Sequence, residues 1–295
     1  MDRINRRLFL KISIAGSIAT IAHEKVSATK FSLPFSHLEK RNTEADDVPD
    51  DAFHLFLLMG QSNMAGYGDI LPDDEKEMEG VRMLREAKEQ ADKYNWIPAR
   101  HPIHSRSKSD RFGLAGPFAK TYRELYPQAT VGLIPMAWGG APVTKMMKGT
   151  PLYQEIIDKS LWAKKQGKLK AVLWHQGESD TVTFQQADLY EGRLLQLIKD
   201  IRLDLNEPDL IFIVGNLAEF YGTGTDHSAP ERVKQINKVK EILRNMPHKL
   251  PHVGFVESTG LRSHDHHQVH FDRESYIIFG KRYLDVYWNM VDQEK

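Results

Sequence analysis

The sequence predicts an α/β domain built on a parallel sheet, and three observations carry that prediction. Short apolar runs of strand length alternate with five longer segments of helical pattern, the signature of strands joined by helical crossovers. The first run, Phe53-His54-Leu55-Phe56-Leu57-Leu58-Met59, is almost unbroken rather than alternating, as in a strand covered on both faces. Polar and glycine-rich residues then follow directly on the strand ends, where open α/β sheets place their working groups.

Each element can be justified in turn. Residues 1–28 open with the paired arginines Arg6-Arg7, continue through a short apolar stretch from Ile12 to Ala22, and reach small residues at Ser27-Ala28. This is the layout of a twin-arginine-type export signal, too short and too rich in Ser, Ala and Gly to span a bilayer. The expected destination is periplasmic or extracellular, with no membrane attachment once the signal is removed. Residues 29–51 are polar, with Glu44, Asp46, Asp47, Asp50 and Asp51 near the end, and read as a linker. Residues 52–295 form the predicted single domain, long enough for one sizeable core.

Within that domain the first strand breaks at Gly60 and presents Ser62 just beyond it. Residues 69–110 are charged and irregular and read as an exposed helix or long excursion on the rim that carries Ser62. A helix follows over 113–125. A second strand over 129–136 leads to Ala137-Trp138-Gly139-Gly140-Ala141-Pro142, and a helix covers 153–166. A third strand at 170–174 ends in His175-Gln176-Gly177-Glu178-Ser179-Asp180. A long helix over 184–203 carries Leu194, Leu197, Ile198 and Ile201 at helical spacing. A fourth strand at 210–214, a helix over 229–246, a fifth strand at 252–256, a polar loop and a final helix over 273–291 complete the chain.

Composition narrows the chemistry. The chain has no cysteine, which excludes disulfides, thiolate catalysis and cysteine-ligated metals. Lys+Arg and Asp+Glu both number 40; residues 1–28 hold five basic and two acidic side chains, leaving the remainder at minus three. That balance carries no basic footprint for nucleic acid or an anionic membrane.

Acyl transfer requires a nucleophile, a base within hydrogen-bond reach, and donors for the developing oxyanion. A serine on a tight turn past a buried strand suits a nucleophile elbow, although Ser62 equally suits a simple helix N-cap. His270, on the loop before the last helix, is the candidate base. The N–H groups of Ser62, Gly139 and Gly140 and the side-chain amide of Gln176 are candidate oxyanion donors. Gln61, Asn63, Trp138 and Glu178 are candidate substrate-binding residues; Trp138 and Trp174 have rings able to stack on a sugar face.

Four blocks appear in order: Gly60-Gln61-Ser62-Asn63-Met64, Gly139-Gly140-Ala141-Pro142, Trp174-His175-Gln176-Gly177-Glu178-Ser179-Asp180, and His270-Phe271-Asp272 with Phe279-Gly280-Lys281-Arg282-Tyr283. From Phe53 to Tyr287 the chain resembles the sialate O-acetylesterase branch of the SGNH hydrolases, close to carbohydrate esterase family six. The resemblance implies a three-layer, flavodoxin-like fold with a five-stranded parallel sheet, no metal or other cofactor, and an acetylated carbohydrate as substrate, such as sialic acid or plant-type polysaccharide fragments. It implies Ser62 as nucleophile through an acetyl-enzyme, His270 as base, a backbone donor from the glycine pair, and Gln176 where many SGNH enzymes carry an asparagine donor.

The chain departs from that family at one position. The family's triad acid usually stands three residues before the histidine, and here His267 stands there. Asp265 is the first candidate for the acid and Glu178, on another loop, the second. Two other readings follow from the same loop. Without an acid, the chain would be a catalytically impaired carbohydrate-binding relative. With His266, His270 and Asp265 as ligands, it would be a zinc-dependent hydrolase using the His264–His270 cluster.

Overall fold

The computed structural model describes residues 53–87, 93–224 and 226–292; the export signal and linker read from residues 1–51 lie outside them. The first apolar run becomes β1 (Phe53–Gly60), with Leu55 to Met59 wholly buried. It pairs in parallel with β4 (Thr130–Ala137) on one side and β5 (Lys168–His175) on the other. Gly60 is level with Ala137 on one neighbour and His175 on the other, so three strands end side by side. Beyond β5 lie β6 (Ile211–Gly215) and β7 (Val253–Val256), also parallel.

The sheet has seven strands, not the five parallel ones expected. The charged stretch 69–110 supplies two of them. Its strand β2 (Val81–Glu86) runs parallel to β4, and β3 (Tyr94–Pro98) lies antiparallel to β2, giving the order β3-β2-β4-β1-β5-β6-β7. β3 is the sheet edge, and β2 beside it, paired on both sides, leaves Arg82 and Glu86 exposed. Arg82, Arg85 and Glu86 therefore mask the apolar contributions of Val81, Met83 and Leu84. The excursion is closed at its base beside the Ser62 turn, by residues that flank it: Gly68 and Phe112 bridge, and the Arg111 amide donates to the Gly66 carbonyl at 3.0 Å.

The helices are a single turn α1 (Ser62–Ala65), then α2 (Ala115–Leu125), α3 (Pro151–Lys164), α4 (Phe184–Asp204), α5 (Pro230–Asn245) and α6 (Arg273–Asp292). Thr150 caps α3 and Thr183 caps α4 in a capping box with Gln186, the local signals that start helices here. Phe56 of β1 meets Phe118 and Tyr122 of α2 and Tyr287 of α6 edge-on. Trp174 of β5 lies level with Met59, three residues past Phe56 and therefore on the opposite face, and its indole N–H reaches Tyr190 of α4 at 3.4 Å. The α2–α6 pair and the α4–α5 pair thus cover opposite faces, the three-layer arrangement expected. Among the described residues no helix is long and apolar enough to cross a membrane.

Candidate active site

The strand order changes direction at β1: the chain leaves it toward β4, then returns past it to β5. That switch point opens a crevice at the carboxyl ends of the strands. The turn there is set by Gly60, at φ +146°, where an added Cβ would lie 2.0 Å from the His175 carbonyl oxygen. Only glycine permits so close an approach of β5. The Gln61 amide donates to the same carbonyl at 3.0 Å, and the Trp138 amide donates to the Gly60 carbonyl at 3.0 Å. Ser62 is thereby held next to the Gly139-Gly140 turn.

The Ser62 hydroxyl lies 3.0 Å from His270 Nε2. The His270 ring stacks on Tyr67, with centroids 3.8 Å apart and planes 9° from parallel. On its other nitrogen, Nδ1 faces Asp265 Oδ2 at 3.5 Å, a separation typical of catalytic contacts that tighten only when substrate is bound. Burial holds the His270 pKa below its ordinary value of 6.5, opposed by the negative charges of Glu178 and Asp265. The ring is therefore neutral at neutral pH, the form that accepts a proton.

His267, at the family's usual acid position, points elsewhere: it is half exposed and pairs with Asp226 at 2.7 Å. Gln268, at φ +57°, turns the chain between the two histidines. The carboxylate that faces His270 Nδ1 is instead that of Asp265, two residues upstream of His267. The zinc alternative fails on donor geometry: among the described residues no three His, Asp or Glu side chains converge at metal-ligand spacing, and both ring nitrogens of His270 face protein partners.

Asn63 and Gln176 serve the site differently from the sequence reading. Asn63 is wholly buried. Its amide nitrogen donates to Glu178 Oε1 at 2.6 Å and to the Val269 carbonyl at 3.0 Å. Its oxygen accepts from Tyr276 at 2.8 Å and from the Phe271 amide at 3.3 Å. It ties the serine turn to the histidine loop. Gln176 is also wholly buried, and its amide nitrogen faces Asp180 at 2.6 Å and the Ala141 carbonyl and Gln61 Oε1, both at 3.2 Å. That amide is spent on protein acceptors, so the expected side-chain oxyanion donor is a brace for Gln61 and the glycine turn. Gln61 accepts from Gln176 and from the Ser179 amide while lining the pocket.

Burial works to raise the Glu178 pKa, but the His175 ring and the Asn63 amide outweigh it and keep the carboxyl below its usual range. Glu178 is thus an anion at the pocket wall, near His270 without bonding it. Trp174 is core, whereas Trp138 is 48 % exposed at the rim. Ser62, His270, Gln61, Glu178, Gly139 and Gly140 line one cavity of about 320 Å³. Its far side is made by Tyr221, His227 and Arg232, which sequence reasoning did not find. Arg232 donates to the Tyr221 hydroxyl at 2.9 Å and makes no ion pair among the described residues. An amphipathic helix start such as Pro230-Glu231-Arg232 carries no local sign that it ends in a crevice.

Fold and geometry together define a three-layer α/β protein with a serine–histidine contact at the carboxyl ends of its central strands. The chain belongs to the carbohydrate esterase family described as sialic acid-specific acetylesterase, whose sequence profile matches residues 52–289. It is accordingly a carboxylic ester hydrolase. It is 30 % identical over 225 residues to a probable carbohydrate esterase of Arabidopsis thaliana, spanning 70 % of this chain and 80 % of that protein. The crystal structure of that plant protein superposes with a TM-score of 0.69 at 28 % identity, covering 81 % of this chain and 98 % of the other. NanS shares the fold at 18 % identity and TM-score 0.64, over 82 % of this chain and 98 % of its own. A carbohydrate acetylesterase from Xanthomonas citri does so at 18 % identity and TM-score 0.55, over 81 % and 57 %.

Proposed function

We propose that this protein is an exported serine esterase that removes O-acetyl groups from carbohydrates through an acetyl-enzyme on Ser62. The observation that carries the reading is the 3.0 Å contact between the Ser62 hydroxyl and His270 Nε2 inside a pocket lined by the glycine pair. Ser62 Oγ attacks the acetyl carbonyl carbon while its proton passes to His270 Nε2. The negative charge on the carbonyl oxygen is held by the N–H groups of Ser62 and of Gly139 or Gly140. As the tetrahedral species collapses, the ester C–O bond breaks and His270 returns the proton to the departing sugar oxygen. Water then attacks the acetyl-serine with His270 again as base, releasing acetate and restoring Ser62. Asp265 is the carboxylate that orients the imidazole and stabilises its cation; Glu178 adds a second, fixed negative charge.

The substrate class follows from the family and its carbohydrate-esterase relatives: an O-acetylated sugar, of which sialic acid, xylan and pectic fragments are the ones to assay. The paired arginines and short apolar stretch of residues 1–28 support export to the periplasm or beyond. The mechanism is tested by intact-mass measurement after mixing with an aryl acetate. A single acetyl adduct mapped to Ser62, absent from Ser62→Ala protein, is expected; acetate release with no adduct on Ser62, or undiminished turnover by Ser62→Ala protein, would overturn it.

A further inference from the structure

A second cavity of about 530 Å³ adjoins the Ser62 pocket, and Gly139 and Gly140 line both. Its volume lies within the range of small-ligand sites. A Cβ added to Gly139 or Gly140 would meet nothing within 4 Å, so packing does not account for the absence of side chains there, although the φ of +69° at Gly140 itself favours glycine. Their bareness leaves a low sill between the two cavities. On the far side of the sill stand Trp138, Pro142, Pro151 and Leu152, with Lys145, Thr150 and Glu155 among them.

Trp138 and Phe184 are the exposed aromatic residues among the described ones, and only Trp138 lies at this rim. A half-exposed indole at a strand end contributes little to a core. Its backbone is pinned to Gly60, and the Arg106 guanidinium lies 5.0 Å from its ring centroid. Arg106 is itself ion-paired with Glu155, which Lys159 also holds at 2.7 Å. The ring is thus both presented and braced, at the cost of an ordered network beneath it. A pyranose offers apolar C–H faces to such a ring and hydroxyls to Lys145, Thr150 and Glu155. An acyl chain would instead call for an enclosed, uniformly apolar cavity.

We propose that this cavity is a subsite for the sugar unit adjacent to the acetylated one, so that the enzyme acts on acetyl groups within an oligosaccharide rather than on free monosaccharides. The proposal rests on Ser62 being the reacting serine, since that fixes which sugar occupies the first cavity. Substrate would lie across the sill, with its acetyl group at Ser62 and its neighbouring unit against Trp138 and Leu152.

The test compares O-acetylated xylose, galacturonic acid and sialic acid, each alone and within a trisaccharide, with 4-nitrophenyl acetate as reference. In the series that matches the substrate, kcat/KM is expected to rise at least tenfold from monosaccharide to trisaccharide, mostly through KM; tenfold corresponds to about 1.4 kcal/mol. Trp138→Ala and Leu152→Ala proteins are expected to lose at least fivefold in the ratio of trisaccharide to aryl acetate kcat/KM, a ratio insensitive to partial misfolding. A trisaccharide advantage below twofold in every series, or a Trp138→Ala variant that lowers both substrates equally, would overturn the subsite. Calorimetry with Ser62→Ala protein and the same ligands reads binding without turnover. Trisaccharide binding at least tenfold tighter than monosaccharide, lost in Ser62→Ala/Trp138→Ala protein, supports the subsite even if wild-type protein releases no acetate. Equal or absent binding of trisaccharide overturns it. A wild-type protein inert on every ester, 4-nitrophenyl acetate included, would count against the Ser62 reading alone.

Discussion

The two ends of the Ser62–His270 pair are built differently. On the serine side every partner is buried: Asn63 and Gln176 are fully enclosed, Glu178 nearly so, and each polar arm of Asn63 has two partners. On the acid side Asp265 is partly exposed, sits 3.5 Å from His270, and rides a polar loop closed by short-range bonds such as Ser263 Oγ to the Asp265 carbonyl at 2.7 Å. Rigidity is therefore concentrated where the nucleophile must be placed, and play is left where the imidazole must accept a positive charge and later release it. The nucleophile end has one arrangement; the acid end has room to tighten around substrate.

Substitutions can break or sharpen this contrast. The largest effect is expected at the nucleophile: Ser62→Ala should lower kcat/KM by about a thousandfold or more, as measured by acetate release. Asn63→Ala should follow, and it should act on stability as well as rate. It strands the Tyr276 hydroxyl, the Phe271 amide and the Glu178 carboxylate in the interior, at a cost of about 2–4 kcal/mol by urea unfolding. A stable Asn63→Ala protein would show that the serine side is less rigid than its bonding implies.

At the acid end Asp265→Asn should cost at least about a hundredfold in kcat/KM, with little change in unfolding free energy. Glu178→Gln should cost about tenfold in rate and should destabilise, because its carboxylate is part of the buried clamp. A reversal of the two rates would make Glu178 the orienting acid. The pH profile separates the roles further. Since burial lowers the His270 pKa, the acid limb of kcat/KM should have its midpoint below 6.5, with activity present above it and lost as pH falls through it. Removing the Asp265 charge removes a contribution that raises this pKa, so in Asp265→Asn protein the midpoint should move lower still. The smallest effect is expected at the stacked ring: Tyr67→Leu should cost about two- to tenfold, the scale of one aromatic pair.

The same contrast governs how much could be read before the structure. Ser62 and His270 stand on local signals, a glycine break after an apolar run and a histidine before a helix, and such signals survive in one dimension. The five strands β1, β4, β5, β6 and β7, the helices and the rim at which they meet were legible for the same reason. Asn63 was not, because its partners lie 115 to 213 residues away and a buried asparagine looks the same as one that greets a ligand. Gln176 sits where a donor was expected, but Asp180, one helical turn on, claims its amide. That Asp265 rather than Glu178 faces His270 Nδ1 was reachable only as one of two options, because the turn at Gln268 that sends His267 outward leaves no mark in the spacing. β2 hid behind its own charges, and β3, with Asn95 and Pro98 in a five-residue run, read as loop.

The central position of β1 has a consequence for how the protein matures. The strand that carries Ser62 is among the earliest made, yet its neighbours β4 and β5 begin 77 and 115 residues after it starts, and His270 is 208 residues from Ser62. Contacts of such sequence separation are closed slowly. A nascent or truncated chain carries Ser62 without the His270 ring that contacts it in the folded protein. Acetate release therefore reports that both halves of the chain have come together, and recovery of activity during refolding should trail the return of helical signal, making turnover a clock for the last step of folding.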